Sequence, residues 1–308
     1  MKVLIIGFGS VGRKHVDTLL KIDSTIEIIA LRKISRFPNI DYPIRAITSW
    51  NKIPSDIDFF IISNPTSLHE DSLVKVLKWN KPIFLEKPPL HRLDLREEIS
   101  SLIKKNKIPV YCAFNMKFHP LLNWVKNNII NHQVLEANCY CGSYLPDWRP
   151  TEDYTKSYSS RQTLGGGVHL DLIHEVDYIT WLFGKPIKTI GIARKNSTLD
   201  IDSFDNATYL LLYKHTTVTI NLNYFRKIPK RAIEFVTENG VIYLDFLKGS
   251  ILNEDNTVLF NTNTSMADTY IDQMRYFLHC ITNNLDFEFN NFDQGMNSLE
   301  ISLNINKD

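Results

Sequence analysis

Near its amino terminus the chain reads KVLIIGFGSVGRKHVDTLLKI over residues 2–22, and no other stretch restricts the fold as much. A short apolar run ends at a glycine, and a segment with helical spacing follows at once. Between them Gly7, Gly9 and Gly12 form the pattern G-x-G-x-x-G. Gly7 allows a tight turn, and Gly9 lets backbone approach a pyrophosphate at the start of a helix. Gly12 lets helix and strand pack closely. Gly7, Phe8, Gly9, Ser10, Val11 and Gly12 are therefore candidates for holding a dinucleotide. The alternative is a glycine turn with no ligand.

The alternation continues. Strand-like runs at IEIIAL (26–31), DIDFFIISNP (56–65), PIFLEKP (82–88) and IPVYCAFN (108–115) are separated by amphipathic segments. Short loops between alternating strands and helices imply a parallel, doubly wound α/β sheet. In such sheets ligands bind at the carboxyl ends of strands. The second strand ends in ALRKISR, which offers Arg32 and Lys33 and no acid for a ribose hydroxyl. Cations there suit the extra phosphate of NADP rather than NAD, unless the segment is only a solvated basic loop. The run at 56–65 leads into SNPTSLH, where Asn64, Pro65, Thr66 and His69 are further cofactor candidates. A turn with a helix cap explains part of that pattern without a ligand. LEKPP places Glu86 and Lys87 at another strand end. A lysine held there can move a proton or polarise a reacting oxygen, although Glu-Lys-Pro alone is more often a surface turn.

After residue 118 the texture changes to strands with strict alternation, as at Thr217–Asn223. We expect an NAD(P)-binding domain over 1–118 and an α+β domain on one large, open, mostly antiparallel sheet over 119–308. The last helix is a candidate to pack back on the first domain. One uncovered sheet face, with Val218, Ile220 and Leu222 in the alternation, predicts a homo-oligomer, dimer or tetramer, through that sheet. With 35 Lys and Arg against 34 Asp and Glu, nothing advertises nucleic acid or a membrane surface. No apolar run reaches the ~18 residues of a membrane span, and the N-terminus reads as strand and turn, not leader. Cys112, Cys139, Cys141 and Cys280 show no zinc spacing and read as reduced core thiols of a cytoplasmic protein.

The stretch GGGVHLDLIHEVDY (165–178) leads three glycines into a charged helix. Asp171, His174 and Tyr178 share one side of a helix there, beside an apolar face. His169 lies away from His174, which weakens a metal site. Proton transfer and a satisfied polar edge both remain open. The glycines would let backbone pass close to a substrate or cofactor.

Glycine fingerprint, Glu-Lys-Pro, AFNMKFHP and GGG…D…H…D occur in that order. Together they resemble the glucose–fructose oxidoreductase/inositol dehydrogenase (Gfo/Idh/MocA) family over nearly the whole chain. The resemblance implies an NAD(P)-dependent oxidoreductase acting on a sugar, nucleotide sugar or sugar acid. It maps the catalytic lysine to Lys87, the aspartate and histidine to Asp171 and His174, and substrate-lining positions to Asn115 and Lys117. The aspartate and histidine are three apart, where four is usual in the family. That spacing resembles a branch of bacterial surface-sugar and nonulosonic-acid pathways. Arg149, Tyr158 and Arg161 in the preceding loop, with Tyr154 and Lys156, are candidates for contacting a phosphate or carboxylate of the substrate; a polar loop without ligand is the alternative. Two other functions share the fold: a non-catalytic dinucleotide sensor and a cofactor-assisted glycosidase.

Overall fold

Apolar runs of three to five residues supply a first sheet. The computed structural model describes residues 1–32, 43–130 and 134–307. Its first unit comprises Met1–Phe114 with Tyr270–Met296. There β1 (Lys2–Ile6), β2 (Glu27–Leu31), β3 (Ile44–Ile47), β4 (Phe59–Ile62), β5 (Ile83–Leu85) and β6 (Val110–Cys112) form an all-parallel sheet in the order β3-β2-β1-β4-β5-β6. α1 (Ser10–Ile22), α2 (His69–Leu77) and α3 (Arg96–Asn106) complete the alternation. Residues 3–5 and 59–62 are fully buried, as a sheet covered on both faces requires. Strand order reverses between β1 and β4, whose ends pair as Ile6 with Ile62. Gly7 and Asn64 follow at that switch point, where open α/β sheets bind ligands.

β3 was not foreseen. It has four residues, only the last buried, and gives no long apolar run. The segment that belongs with this unit from the far end of the chain is Tyr270–Met296, not the last helix as a whole. Phe277 packs edge-on against Phe84 at 5.3 Å and Phe59 at 5.5 Å. Asn290 donates to the Tyr111 hydroxyl and the Phe114 carbonyl, each at 2.9 Å.

The second unit comprises Asn115–Thr269 and the chain from Asn297 onward. It contains α4 (Pro120–Asn128), β7 (Val134–Tyr144), α5 (Val168–Asp171), α6 (Ile173–Phe183), β8 (Lys188–Arg194), β9 (Asn206–Leu212), β10 (Thr217–Asn223), β11 (Phe225–Thr237), β12 (Gly240–Asp245), β13 (Ser250–Asn253) and β14 (Val258–Asn261). α7 (Met266–Asn283) and α8 (Phe292–Leu303) are divided between the units, and β15 (Asn306–Lys307) ends the chain's described part. The sheet runs β14-β13-β12-β11-β7-β10-β9-β8-β15 and is antiparallel except where β10 meets β7 and β15 meets β8.

Val218, Ile220 and Leu222 are fully buried in one cluster with Val168, Val176 and Ile179 of α5 and α6. This corrects the expectation that they form an exposed patch: the alternation turns them towards the helices. The opposite face carries a polar ladder. Thr219 donates to Asn138 at 2.6 Å and Thr208 to Asn221 at 3.1 Å. An assembly through this sheet therefore draws nothing from those three residues. All four cysteines are buried, and burial pushes the Cys139 and Cys141 thiols up.

His119 caps α4, its Nδ1 accepting from the Leu121 N–H at 3.3 Å, which requires an unprotonated nitrogen. Burial, with the nearby Arg231 charge, lowers its pKa from 6.5 to about 4. The unfolded chain binds this proton first, so the contribution is whole above pH 6.5 and is lost as pH falls towards 4. We expect the melting temperature to fall across that window and His119→Asn, a neutral cap, to flatten the slope. An unchanged slope in the folded variant contradicts the assignment.

Candidate active site

In the first unit Gly7 has φ of +90°, and a side chain there would strike the Asn64 backbone at 2.5 Å. Only glycine tolerates both demands. The loop carries on to Gly9, exposed and with no atom within 4 Å of an added Cβ. Backbone is thus open at the head of α1, where helix N–H groups favour a phosphate. A cavity of about 550 Å³ begins at this loop, lined by Gly7, Phe8, Leu31, Arg32, Trp50, Asn64, Pro65 and Leu68 among others. The Arg32 guanidinium lies 5.8 Å from the centre of the Phe8 ring. Glycine cradle, apolar walls and a cation at the end of β2 fit a dinucleotide. Ser10 and Val11 open α1, and Thr66 is buried in the turn before α2. Lys33 lies outside the described residues.

Two predicted cofactor residues occupy other places. His69 is 1% exposed, with Nε2 2.9 Å from the Asn64 carbonyl oxygen and Nδ1 2.9 Å from that of Pro88. Glu86 is buried, with Oε1 2.6 Å from Nε2 of His15. Neither lines the cavity: Glu86 bonds His15 and the Lys87 N–H, while burial lowers the His69 pKa, so its neutral ring donates to one of the two carbonyls and only abuts the other. Despite burial, hydrogen bonding from His15 holds the Glu86 carboxyl below the usual range. In the run from Ile83 to Leu90, Lys87 alone is not buried.

In the second unit the glycine run has a structural explanation. Gly165 and Gly167 adopt φ of +86° and +126°. A Cβ on Gly166 would stand 2.1 Å from the Tyr158 carbonyl oxygen. The glycines thus let α5 start hard against the loop Tyr158–Arg161, a role not anticipated from the sequence. The expected single helix is two: α5 ends at Asp171, and Leu172, at φ −97° and ψ 30°, breaks the path to α6. Asp171 and His174 therefore stand on separate helices, although they are only 4% and 9% exposed. Asp171 Oδ2 accepts from the Tyr224 hydroxyl at 2.5 Å. Burial, together with the Asp171 charge, pushes that phenol up, so it remains a donor. Tyr224 was missed in the sequence; its only signal is its place just after β10.

The other charges of this stretch are matched. Arg231 Nε donates to Glu175 at 2.6 Å, and Lys117 Nζ donates to Asp177 at 3.0 Å. Ser298 also donates to Asp177, at 3.1 Å. Lys117, predicted to line substrate, is 4% exposed and committed to this carboxylate. Asn115 is 3% exposed and donates to Thr269 at 2.6 Å. In the loop, Arg149 and Arg161 make surface ion pairs with Glu152 and Asp202, each at 3.7 Å, and Lys156 pairs with Asp153 at 3.2 Å. Tyr158 is half-buried. Such exposed pairs are weak and leave the cations exchangeable. Among the described residues no cluster of His, Cys, Asp and Glu could hold a metal, and no helix is long and apolar enough to cross a membrane.

Comparison with known proteins gives concordant results. Residues 1–114 match the model of an oxidoreductase family with an NAD-binding Rossmann fold, GFO_IDH_MocA, and residues 133–243 match the GFO/IDH/MocA C-terminal domain. The uncharacterized oxidoreductase YrbE of Bacillus subtilis is 24% identical over 228 residues, 70% of this chain. That match spans 64% of YrbE, less than two thirds of its length. The structure of UDP-N-acetylglucosamine 3-dehydrogenase GnnA from Acidithiobacillus ferrooxidans superposes with a TM-score of 0.80 at 16% identity, covering 99% of this chain and 96% of that one. Myo-inositol 2-dehydrogenase from Lactobacillus plantarum gives 0.81 at 18%, covering 98% and 95%. At these identities the superpositions establish the fold alone.

The Lys117–Asp177 pair yields a stability prediction. Lys117→Ala strips a buried carboxylate of its counter-charge and should cost about 3–5 kcal/mol in urea unfolding. A loss below about 1 kcal/mol, the value of a surface pair, would contradict the structural role given to Lys117.

Proposed function

Because the chain belongs to the Gfo/Idh/MocA oxidoreductases, we propose that it transfers a hydride between a nicotinamide and a carbinol carbon of a sugar, nucleotide sugar or sugar acid. The observation that carries this reading is Lys87, the single unburied side chain in a buried run at the carboxyl edge of a dinucleotide-binding sheet. When bound, the nicotinamide supplies the hydride acceptor or donor. The chain's own residues handle the proton. In the oxidative direction the substrate hydroxyl gives its proton to His174 as the carbon gives up its hydride, and a carbonyl results. A histidine suits this because its ordinary pKa is near neutrality. Asp171, fixed by Tyr224, orients and charges the neighbourhood of His174. Lys87 polarises the reacting oxygen through its ammonium. The names of GnnA and the inositol dehydrogenase support polyhydroxylated substrates of this class. The exposed cations Arg149 and Arg161 favour one that carries phosphate or carboxylate.

We further propose that NADP(H) is preferred to NAD(H). Arg32 follows β2 directly and lines the cavity, with no acidic residue at that strand end to take a ribose hydroxyl. Fluorescence titration should show tighter NADPH than NADH binding. Arg32→Ala should weaken NADPH selectively, by about 1.5–3 kcal/mol, the value of a charged hydrogen bond. Equal affinities in the native protein would contradict the preference.

The catalytic assignment makes a separate demand. His174→Ala should cut turnover by about 10²–10⁴, typical of lost acid–base catalysis, while NADPH affinity holds. Lys87→Ala should be comparably severe, and the double variant should lose far less than the product, since groups acting as a unit are non-additive. A folded His174→Ala protein with native turnover would remove His174 from the mechanism.

A further inference from the structure

The residues flanking Lys87 are held by two buried histidines, neither of which reaches the cofactor cavity. His15, on α1, places Nε2 2.6 Å from Oε1 of Glu86. The other carboxylate oxygen of Glu86 accepts the backbone N–H of Lys87 at 3.1 Å. His69, at the start of α2, sets Nδ1 2.9 Å from the carbonyl oxygen of Pro88. Its Nε2 lies 2.9 Å from the carbonyl oxygen of Asn64, the residue whose backbone abuts Gly7. His15 and His69 are each 1% exposed, and the Phe84 ring meets the His15 ring edge-on at 5.0 Å. One set of contacts thus runs from the glycine turn through Asn64 and His69 to Pro88, the neutral ring of His69 donating to one of the two carbonyls and packing against the other. It continues past Lys87 through Glu86 and His15 to the helix that starts at that same turn.

Plain packing does not account for this. A buried polar group costs free energy unless it is bonded, and an apolar side chain fills such a space at lower cost. Here two imidazoles and a carboxylate are buried on either side of one lysine. Their joint effect is to fix the backbone from which Lys87 projects. A lysine side chain has four flexible carbons, so a fixed base matters for where its ammonium can reach. A displacement of about 1 Å in a reacting group can cost on the order of a hundredfold in rate.

We propose that His15 and His69 are positioning residues for Lys87, coupling its backbone to the cofactor cradle. The proposal rests on the reading of Lys87 as the group that acts on the substrate oxygen. The test pairs leucine variants, His15→Leu and His69→Leu, with amide variants, His15→Gln and His69→Gln, which keep a hydrogen-bonding group without the ring. Three quantities are read on the folded fraction: kcat and KM on the preferred sugar, the NADPH dissociation constant, and the acetylation rate of Lys87 by acetic anhydride relative to exposed Lys105. We expect kcat to drop at least about tenfold in the leucine variants, with KM and NADPH affinity within about threefold, as for loss of an interaction that matters only in the transition state. The amide variants should recover most of that loss. Lys87 acetylation should change at least about threefold in the leucine variants without substrate present, as its environment loosens. Unchanged kcat and unchanged acetylation beside a lowered melting temperature would overturn the proposal and leave both histidines as packing. If no sugar is turned over by the native protein, the functional reading fails alone, and the acetylation ratio decides whether the histidines hold Lys87.

Discussion

A charge can be buried only where another group answers it, and that constraint organises both units. Isolated burial of a carboxylate or ammonium is prohibitive, so each such group in the interior comes with a partner. Glu86 has His15, Glu175 has Arg231, Asp177 has Lys117 and Asp171 has Tyr224. Two of these pairs anchor α6 to elements far away in sequence. This is how a helix carrying Glu175 and Asp177 can be almost wholly buried. The same matching leaves the side chains assigned to chemistry with defined surroundings. Lys87 projects from a stretch otherwise entombed, and His174 follows directly on a helix break.

The sheet supplies the second condition. Parallel strands end together, and β1 and β4 diverge in order at their carboxyl ends. Gly7 needs its missing side chain there because Asn64 fills the space. The same loop continues to Gly9, where an added Cβ would meet no atom within 4 Å.

Much of the fold was legible in the sequence because its signals are local. Strand–helix alternation, the glycine fingerprint and the strict period at Thr217–Asn223 depend on neighbours only. The face that those last residues present was misjudged, since period two says that sides alternate but not which side the helices cover. The four-residue strand β3 also gave no readable pattern. In the candidate site, Lys87, Asp171 and His174 stood out by type and spacing. Tyr224, His15 and Arg231 did not, because their roles depend on partners 53, 71 and 56 residues away. The three glycines were legible as special, but their packing against the preceding loop was not. A Cβ at Gly166 would meet the Tyr158 carbonyl of the preceding loop, and no sequence period records such a contact. Lys117 was named by the resemblance alone, and its counter-charge, Asp177, lies 60 residues on, beyond any local signal.

The central claim is that this chain moves a hydride between a nicotinamide and a polyhydroxylated substrate. The most direct measurement incubates the purified protein with NADP and NAD against nucleotide sugars, sugar acids and inositols, following nicotinamide absorbance while product is identified by mass. The account predicts reduction of the cofactor in step with loss of two hydrogens from one substrate class, preferably one bearing phosphate or carboxylate. Tight cofactor binding with no redox change on any member of the panel would contradict it, as would hydrolysis of a substrate with the cofactor unchanged.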